Sequence, residues 1–254
     1  MRKYLPCLAV LVAMGVASST AAADPNVGPK ICPSAGQALS GSVGNLTITG
    51  NAYVPAGSTL TVHGNLNLAA GSCFDAFTVA TVVVKGAVNV GKGAVLGLGC
   101  SPGAIGPEPP CEFNTTEDVV GGGISAREPL TMYLTAVKVL GNVVSIGGGP
   151  GPTLNPYINF PIKENTITRN LDIQGWRGAW FGVLRNTIHG SATILNNVGV
   201  TIGELGTPDS TEIVTNTIFG SLSCYGNSPA AQFGDSEGAP NVVHGKKLGQ
   251  CTAV

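Results

Sequence analysis

The sequence predicts an all-β chain, wound as a single-domain right-handed parallel β-helix (a solenoid) with disulfide-closed ends and loop insertions. Three observations lead there. First, an asparagine-led unit recurs in the second half: Asn165-Thr166-Ile167, Asn186-Thr187-Ile188, Asn216-Thr217-Ile218 and Asn241-Val242-Val243. Each is followed after a short link, usually containing Gly, by another alternating segment, such as Ser191-Ala192-Thr193-Ile194. The unit starts lie 21, 30 and 25 residues apart, a repeat length that fits one coil of a solenoid. Second, apolar and small polar residues alternate at period two, the mark of strands with one buried face. Third, helical periodicity is missing beyond the first residues, so an α/β reading has no support.

The elements follow in order. Residues 1–23 read as a secretory signal peptide: Arg2 and Lys3 open it, an apolar run extends from Leu5 to Val16, and Ala21-Ala22-Ala23 gives the small-residue cleavage pattern. The apolar run is too short for a membrane anchor, so no membrane span is expected after its removal. Residues 24–43, rich in Pro, Gly and Ser, read as a leader and N-terminal cap over the first coil. The β-helix is expected over 44–254. Its early strands are predicted within Gly44–Ile48, Ser58–Val62, Gly64–Leu68, Thr78–Val84, Ala87–Val90 and Ala94–Leu98. Gly-Asn and Lys-Gly pairs between them accept the backbone of tight corners. An insertion near 99–129 breaks the rhythm, and 147–161 forms a second irregular stretch; both are expected to project as loops. In the regular second half, Asn165, Asn186 and Asn216 should stack at one corner and share amide hydrogen bonds up the axis.

Composition narrows the function classes. Hydrophobic residues make up 43% of the chain, which disfavours disorder. Taking Arg2 and Lys3 from the 13 basic residues leaves 11 against 14 acidic ones, a net charge near −3. That scattered acidic excess argues against nucleic acid as a partner. Cys32, Cys73, Cys100, Cys111, Cys224 and Cys251 survive processing, an even count that implies disulfides in an exported chain. Several connectivities exist; proximity along a solenoid favours Cys32–Cys73, Cys100–Cys111 and Cys224–Cys251. No cysteine pair has thiolate-zinc spacing, and no metal or other cofactor is expected.

Near the end, Cys224-Tyr225-Gly226-Asn227-Ser228-Pro229 and the terminal Gly249-Gln250-Cys251 carry a resemblance. They resemble the closing motifs of small secreted right-handed parallel β-helix proteins of high-GC Gram-positive bacteria. The resemblance implies the fold, an exported state and a terminal disulfide, and it brings no catalytic residues.

Four groups of side chains are candidates for chemistry. His63, His189 and His244 share one phase of the repeat, but the coil holding Phe219 separates the last two, too far for one ion; corner decoration is the better reading. Glu108, Glu112, Glu117 and Asp118 lack a compact calcium-loop pattern and read as a solvated loop. Asp172 with Lys163, Glu164, Arg177 and Arg185 could serve an extracellular polysaccharide lyase or glycoside hydrolase, although no Asp-x-Asp cluster accompanies them. Finally, both tryptophans fall in Gln174-Gly175-Trp176-Arg177-Gly178-Ala179-Trp180-Phe181-Gly182. Trp176, Trp180 and Phe181, with Asp172 and Arg177, form the ligand-binding candidate: aromatic faces for an extracellular glycan or a cell-surface protein. The alternative is that these rings cover the flank of the helix. The expected protein is therefore a secreted structural or binding solenoid, extracellular or loosely associated with the cell wall.

Overall fold

In a parallel β-helix every strand bonds to the same strand of the coils before and after it, and a computed structural model of the chain shows that arrangement. It describes residues 31–33, 36–101, 115–150, 160–199, 211–233 and 238–254. The strands form three long parallel sheets, called I, II and III here, of eight, nine and nine strands among the described residues. Each full coil gives one strand to each. Phe160–Lys163, Thr166–Ile167 and Leu171–Gln174 make one coil; Phe181–Leu184, Thr187–Ile188 and Ala192–Leu195 lie directly on it in register. Among the described residues, no helix is long and apolar enough to cross a membrane.

Alternation in sheets II and III turns one residue of each pair inward. Ile167, Ile188 and Ile218 are fully buried and stack in one column, and Ile173, Ile194 and Cys224 in another. Each aliphatic side chain so buried contributes roughly 1.5–3 kcal/mol from the apolar area it removes from water. From Cys73–Ala76 onward, sheet I departs from the alternating pattern because both of its faces are covered. Its inner residues join the main core. Its outer residues Cys73, Val95 and Tyr133 pack with Ile31, Cys32, Phe77 and Cys100, and further along Leu184 and Val214 pack with Trp180.

Several boundaries differ from expectation. The stack begins at Gln37–Ala38 and Gly41–Val43, inside the span assigned to the cap. Ile31 and Cys32 lie on the outer face of sheet I instead of over the end. The Cys32–Cys73 disulfide and the Ile31 N–H donating to Asp75 Oδ2 (3.1 Å) hold them there. Asn51–Tyr53 and Cys73–Ala76 are strands of sheet I that the alternation rule passes over; all four residues of the second are buried. Within the expected insertion, Asp118–Val120 and Ile124–Arg127 are regular strands, while residues 102–114 lie outside the described residues. The expected signal peptide and residues 151–159 also lie outside the described residues. Cys224–Cys251 closes the last coil. Cys100 is buried and disulfide-bonded, and Cys111, its expected partner, is outside the described residues. These disulfides indicate an oxidising environment for the folded chain.

The corner between sheets I and II carries the expected asparagine ladder. The backbone N–H and the Nδ2 of Asn165 both donate to Asn186 Oδ1 (2.9 and 3.0 Å). Asn186 repeats this on Asn216, and Asn216 on Asn241. The second Nδ2 hydrogen of each donates back to a sheet I carbonyl, that of Leu134, Ile162, Val183 or Ile213. All four side chains are buried and their amides are satisfied. Glu164, Arg185 and Thr215, each just before a ladder asparagine, adopt positive φ of 59°, 56° and 59°. A non-glycine residue pays on the order of 1–2 kcal/mol for that sharp turn, and the ladder bonds offset it. The substitution Asn186→Ala leaves the buried N–H of Asn165 without an acceptor. It should destabilise the protein by roughly 3 kcal/mol in urea unfolding. Asn170→Ala, at an exposed position, should cost less than about 1 kcal/mol in the same assay.

Candidate functional site

The residues proposed from sequence as a binding surface do not converge. Trp176 is fully buried: its ring packs on Phe160 and Phe181 (centroids 5.1 and 6.3 Å apart), and its Nε1–H donates to Leu130 O at 3.3 Å. Phe181 points inward beside it, also fully buried. Trp180 lies on the outer face of sheet I with Leu184 and Val214. Its Nε1–H donates to Glu212 Oε1 (3.0 Å), and Lys163 Nζ sits 4.9 Å from its ring centroid. The glycines that frame these rings admit the protein's own indoles. A β-carbon at Gly178 would strike the Trp176 ring, and one at Gly182 the Trp180 ring. The aromatic faces expected for a ligand are thus buried packing: Trp176 and Phe181 fill the coil, and Trp180 covers the outer flank of sheet I.

The polar candidates scatter as well. Asp172 lies on the outer face of sheet III and accepts both contacts of Gln174 Nε2 (2.8 and 3.0 Å). Lys163 is on the outer face of sheet I, so it does not share a face with Asp172. Arg185 is at the corner between sheets I and II, where its Nε donates to Glu164 Oε1 (2.9 Å); the other Glu164 oxygen accepts from Ser101 Oγ. Arg177 is exposed in a separate two-stranded ribbon with Val198–Gly199. Among the described residues no group of three His, Cys, Asp or Glu side chains could hold a metal ion.

The acidic insertion yields one unusual carboxyl, and it is not in a solvated loop. Asp118 is 1% exposed, opposite Val137, in the same column as the ladder asparagines. Its Oδ1 accepts from the Val82 N–H one coil back (2.8 Å), as Asn165 Oδ1 accepts from Val137, while Oδ2 has no hydrogen-bond partner among the described residues. Burial pushes this carboxyl up to about 7, against the lowering effect of the Val82 and Gly99 backbone donors. Asp118 is therefore a ladder residue whose protonated form takes the place of an asparagine amide.

The histidines do decorate a corner, the one between sheets II and III; what sequence reasoning missed is the ring stack that Phe219 completes there. The residue after each paired strand of sheet II falls in one column there, and its lower end is aromatic. His189 and Phe219 stack at 5.0 Å with 8° between planes, and Phe219 and His244 at 4.8 Å with 0°. The shared phase of the histidines is the sequence signal for this column, and Phe219 is the ring that completes it. All three are exposed, Phe219 at 47%. His244 follows the last strand of sheet II among the described residues, Val242–Val243, and is exposed. Comparisons with protein-family models, curated proteins and solved structures give no match.

Two outcomes test these placements. Trp176→Ala should cost roughly 3–5 kcal/mol of stability, as expected for a buried ring and not for a surface one. For Asp118, the neutral form favours the fold below the ordinary carboxyl value of 3.8, and that contribution disappears as pH rises to about 7. The wild type should lose up to roughly 4 kcal/mol between pH 4 and pH 7 relative to Asp118→Asn, measured by denaturant unfolding at each pH.

Proposed function

We propose that the protein is a secreted, non-catalytic β-helix that binds an extracellular glycan along the corner between sheets II and III. The observation that carries this is the exposed His189–Phe219–His244 stack, held on a corner whose backbone is bonded coil to coil. Flat rings in fixed positions offer apolar edges for the C–H surface of a sugar ring, with little ordering entropy to lose. The disulfides and the N-terminal signal pattern fit an exported protein that is extracellular or loosely held at the cell wall. The alternative of a polysaccharide lyase or glycoside hydrolase working through Asp172 and its basic neighbours is disfavoured by their positions on different sides of the solenoid.

Binding to a panel of extracellular polysaccharides, read by affinity electrophoresis, tests the reading. Phe219→Ala should weaken the interaction about tenfold (~1.4 kcal/mol) with little change in melting temperature, since the ring is half exposed. Release of unsaturated or reducing ends by the wild type would overturn it, as would unchanged binding in a Phe219→Ala, His244→Ala double variant.

A further inference from the structure

Further up the same corner a second ladder runs, and it has a break. Asn65 N–H donates to Asn45 Oδ1 (2.8 Å) and Ala87 N–H to Asn65 Oδ1 (2.9 Å). Below the break, Asn170 N–H donates to Asn142 Oδ1 (3.1 Å) and Ser191 N–H to Asn170 Oδ1 (2.9 Å), and Ser221 continues the series. Each side-chain oxygen thus receives the backbone N–H of the next coil. Ala87 and Gly123 occupy the two intervening positions and have no oxygen to offer. Among the described residues, the N–H groups of Gly123 and Asn142 consequently have no acceptor, although their carbonyls keep the coil-to-coil bonds from Val88 and Ile124.

A cleft of about 470 Å³ opens at this place. Its floor is the backbone of Gly121, Gly122 and Gly123, and its flanks are Leu140, Val144 and Arg169. Arg169 is exposed, and among the described residues its guanidinium makes no hydrogen bond or ion pair. Lys85, also exposed, precedes Gly121 in the corner column, while Leu140, 43% exposed, follows it. Asp172 adjoins Val144 on the next coil, with its carboxylate held by Gln174. Two orphan donors one coil apart, about 4.8 Å, face the same opening as a free guanidinium, and an apolar wall stands beside them.

Resting on the glycan-binding reading above, we infer that this cleft takes the carboxylate of an acidic extracellular polysaccharide, a uronic-acid chain. The carboxylate oxygens stand where the ladder lacks its side-chain oxygens and accept from Gly123 and Asn142. Arg169 supplies the charge-assisted bond that selects an anion. Leu140 and Val144 take the apolar side of the sugar ring. Leu140 belongs to the column that continues through Thr168 to His189 and Phe219, so the chain would lie along the solenoid axis from the cleft towards the aromatic stack.

The test compares a uronic-acid oligosaccharide with the same oligosaccharide after its carboxyls are reduced to alcohols, using the full chain and calorimetry. The wild type should bind the acidic form at least tenfold more tightly. Arg169→Gln should remove that preference. Ala87→Asn, which already has room for a β-carbon, should bond the Gly123 N–H as Asn65 bonds Ala87. It should thereby weaken acidic binding at least tenfold while keeping or raising the melting temperature, so loss of fold cannot explain the result. Equal affinity for the two forms, or an unchanged preference in Arg169→Gln and Ala87→Asn, overturns the inference and leaves general glycan binding standing. Binding to neither form, nor to any other glycan, overturns both.

Discussion

A stack of parallel coils must satisfy its corners, because there the chain leaves one sheet for the next and its peptide groups turn away from strand partners. In this protein the side-chain amides of asparagine meet that demand. Asn186 and Asn216 each accept two hydrogen bonds at Oδ1 and donate two from Nδ2, so a buried polar group that would cost a few kcal/mol unpaired becomes the element that fixes register. A slip by one residue would turn the isoleucine columns outward and break the ladder at once. Hydrophobic burial supplies most of the driving force, and the ladder selects one way of stacking from many with similar burial.

The same constraint explains the closing motif. Asn197 accepts from the Trp176 N–H and donates to Asn227 Oδ1, and Asn227 in turn donates to Gln250 Oε1. Gln250 Nε2 donates back to the Asn227 carbonyl (2.8 Å). Gln250 is therefore the last member of this second buried ladder among the described residues, and Cys224–Cys251 fastens the segment that carries it. The longer glutamine side chain reaches from the terminal 3₁₀ turn, Gln250–Ala253, to a position that a strand residue would otherwise hold.

Legibility in the sequence followed side-chain specificity. The Asn165 ladder could be read because an asparagine recurs there in four successive coils and a β-branched pair follows it each time. Sheets II and III could be read because their outer faces meet water, which leaves alternation visible. Sheet I could not be read in that way: Cys73-Phe74-Asp75-Ala76 is buried on both sides, so polarity carries no period there. The tryptophans misled for a related reason. Gly178 and Gly182 mark close approach of a ring, but sequence does not say whose ring, and here it is the indole two residues earlier. Asp118 looked like one of four loop acids; only the fold shows it one coil from Val82 in the asparagine column. The broken ladder was hidden because its members change identity (Asn, Ala, Gly, Ser) while the role at each coil stays the same.

The Asn165–Asn241 ladder and the closing ladder are bonded from coil to coil, whereas the corner between sheets II and III carries exposed rings and, among the described residues, a guanidinium and two peptide donors without partners. The central claim, that side-chain amides hold the coils in register, is most directly tested by residue-resolved amide hydrogen exchange. The account predicts that the Asn165, Asn186 and Asn216 N–H groups exchange only through global unfolding, as slowly as the strand amides of the core, while Gly123 and Asn142 exchange fast. Ladder amides exchanging as fast as those of Gly123 and Asn142 would contradict it.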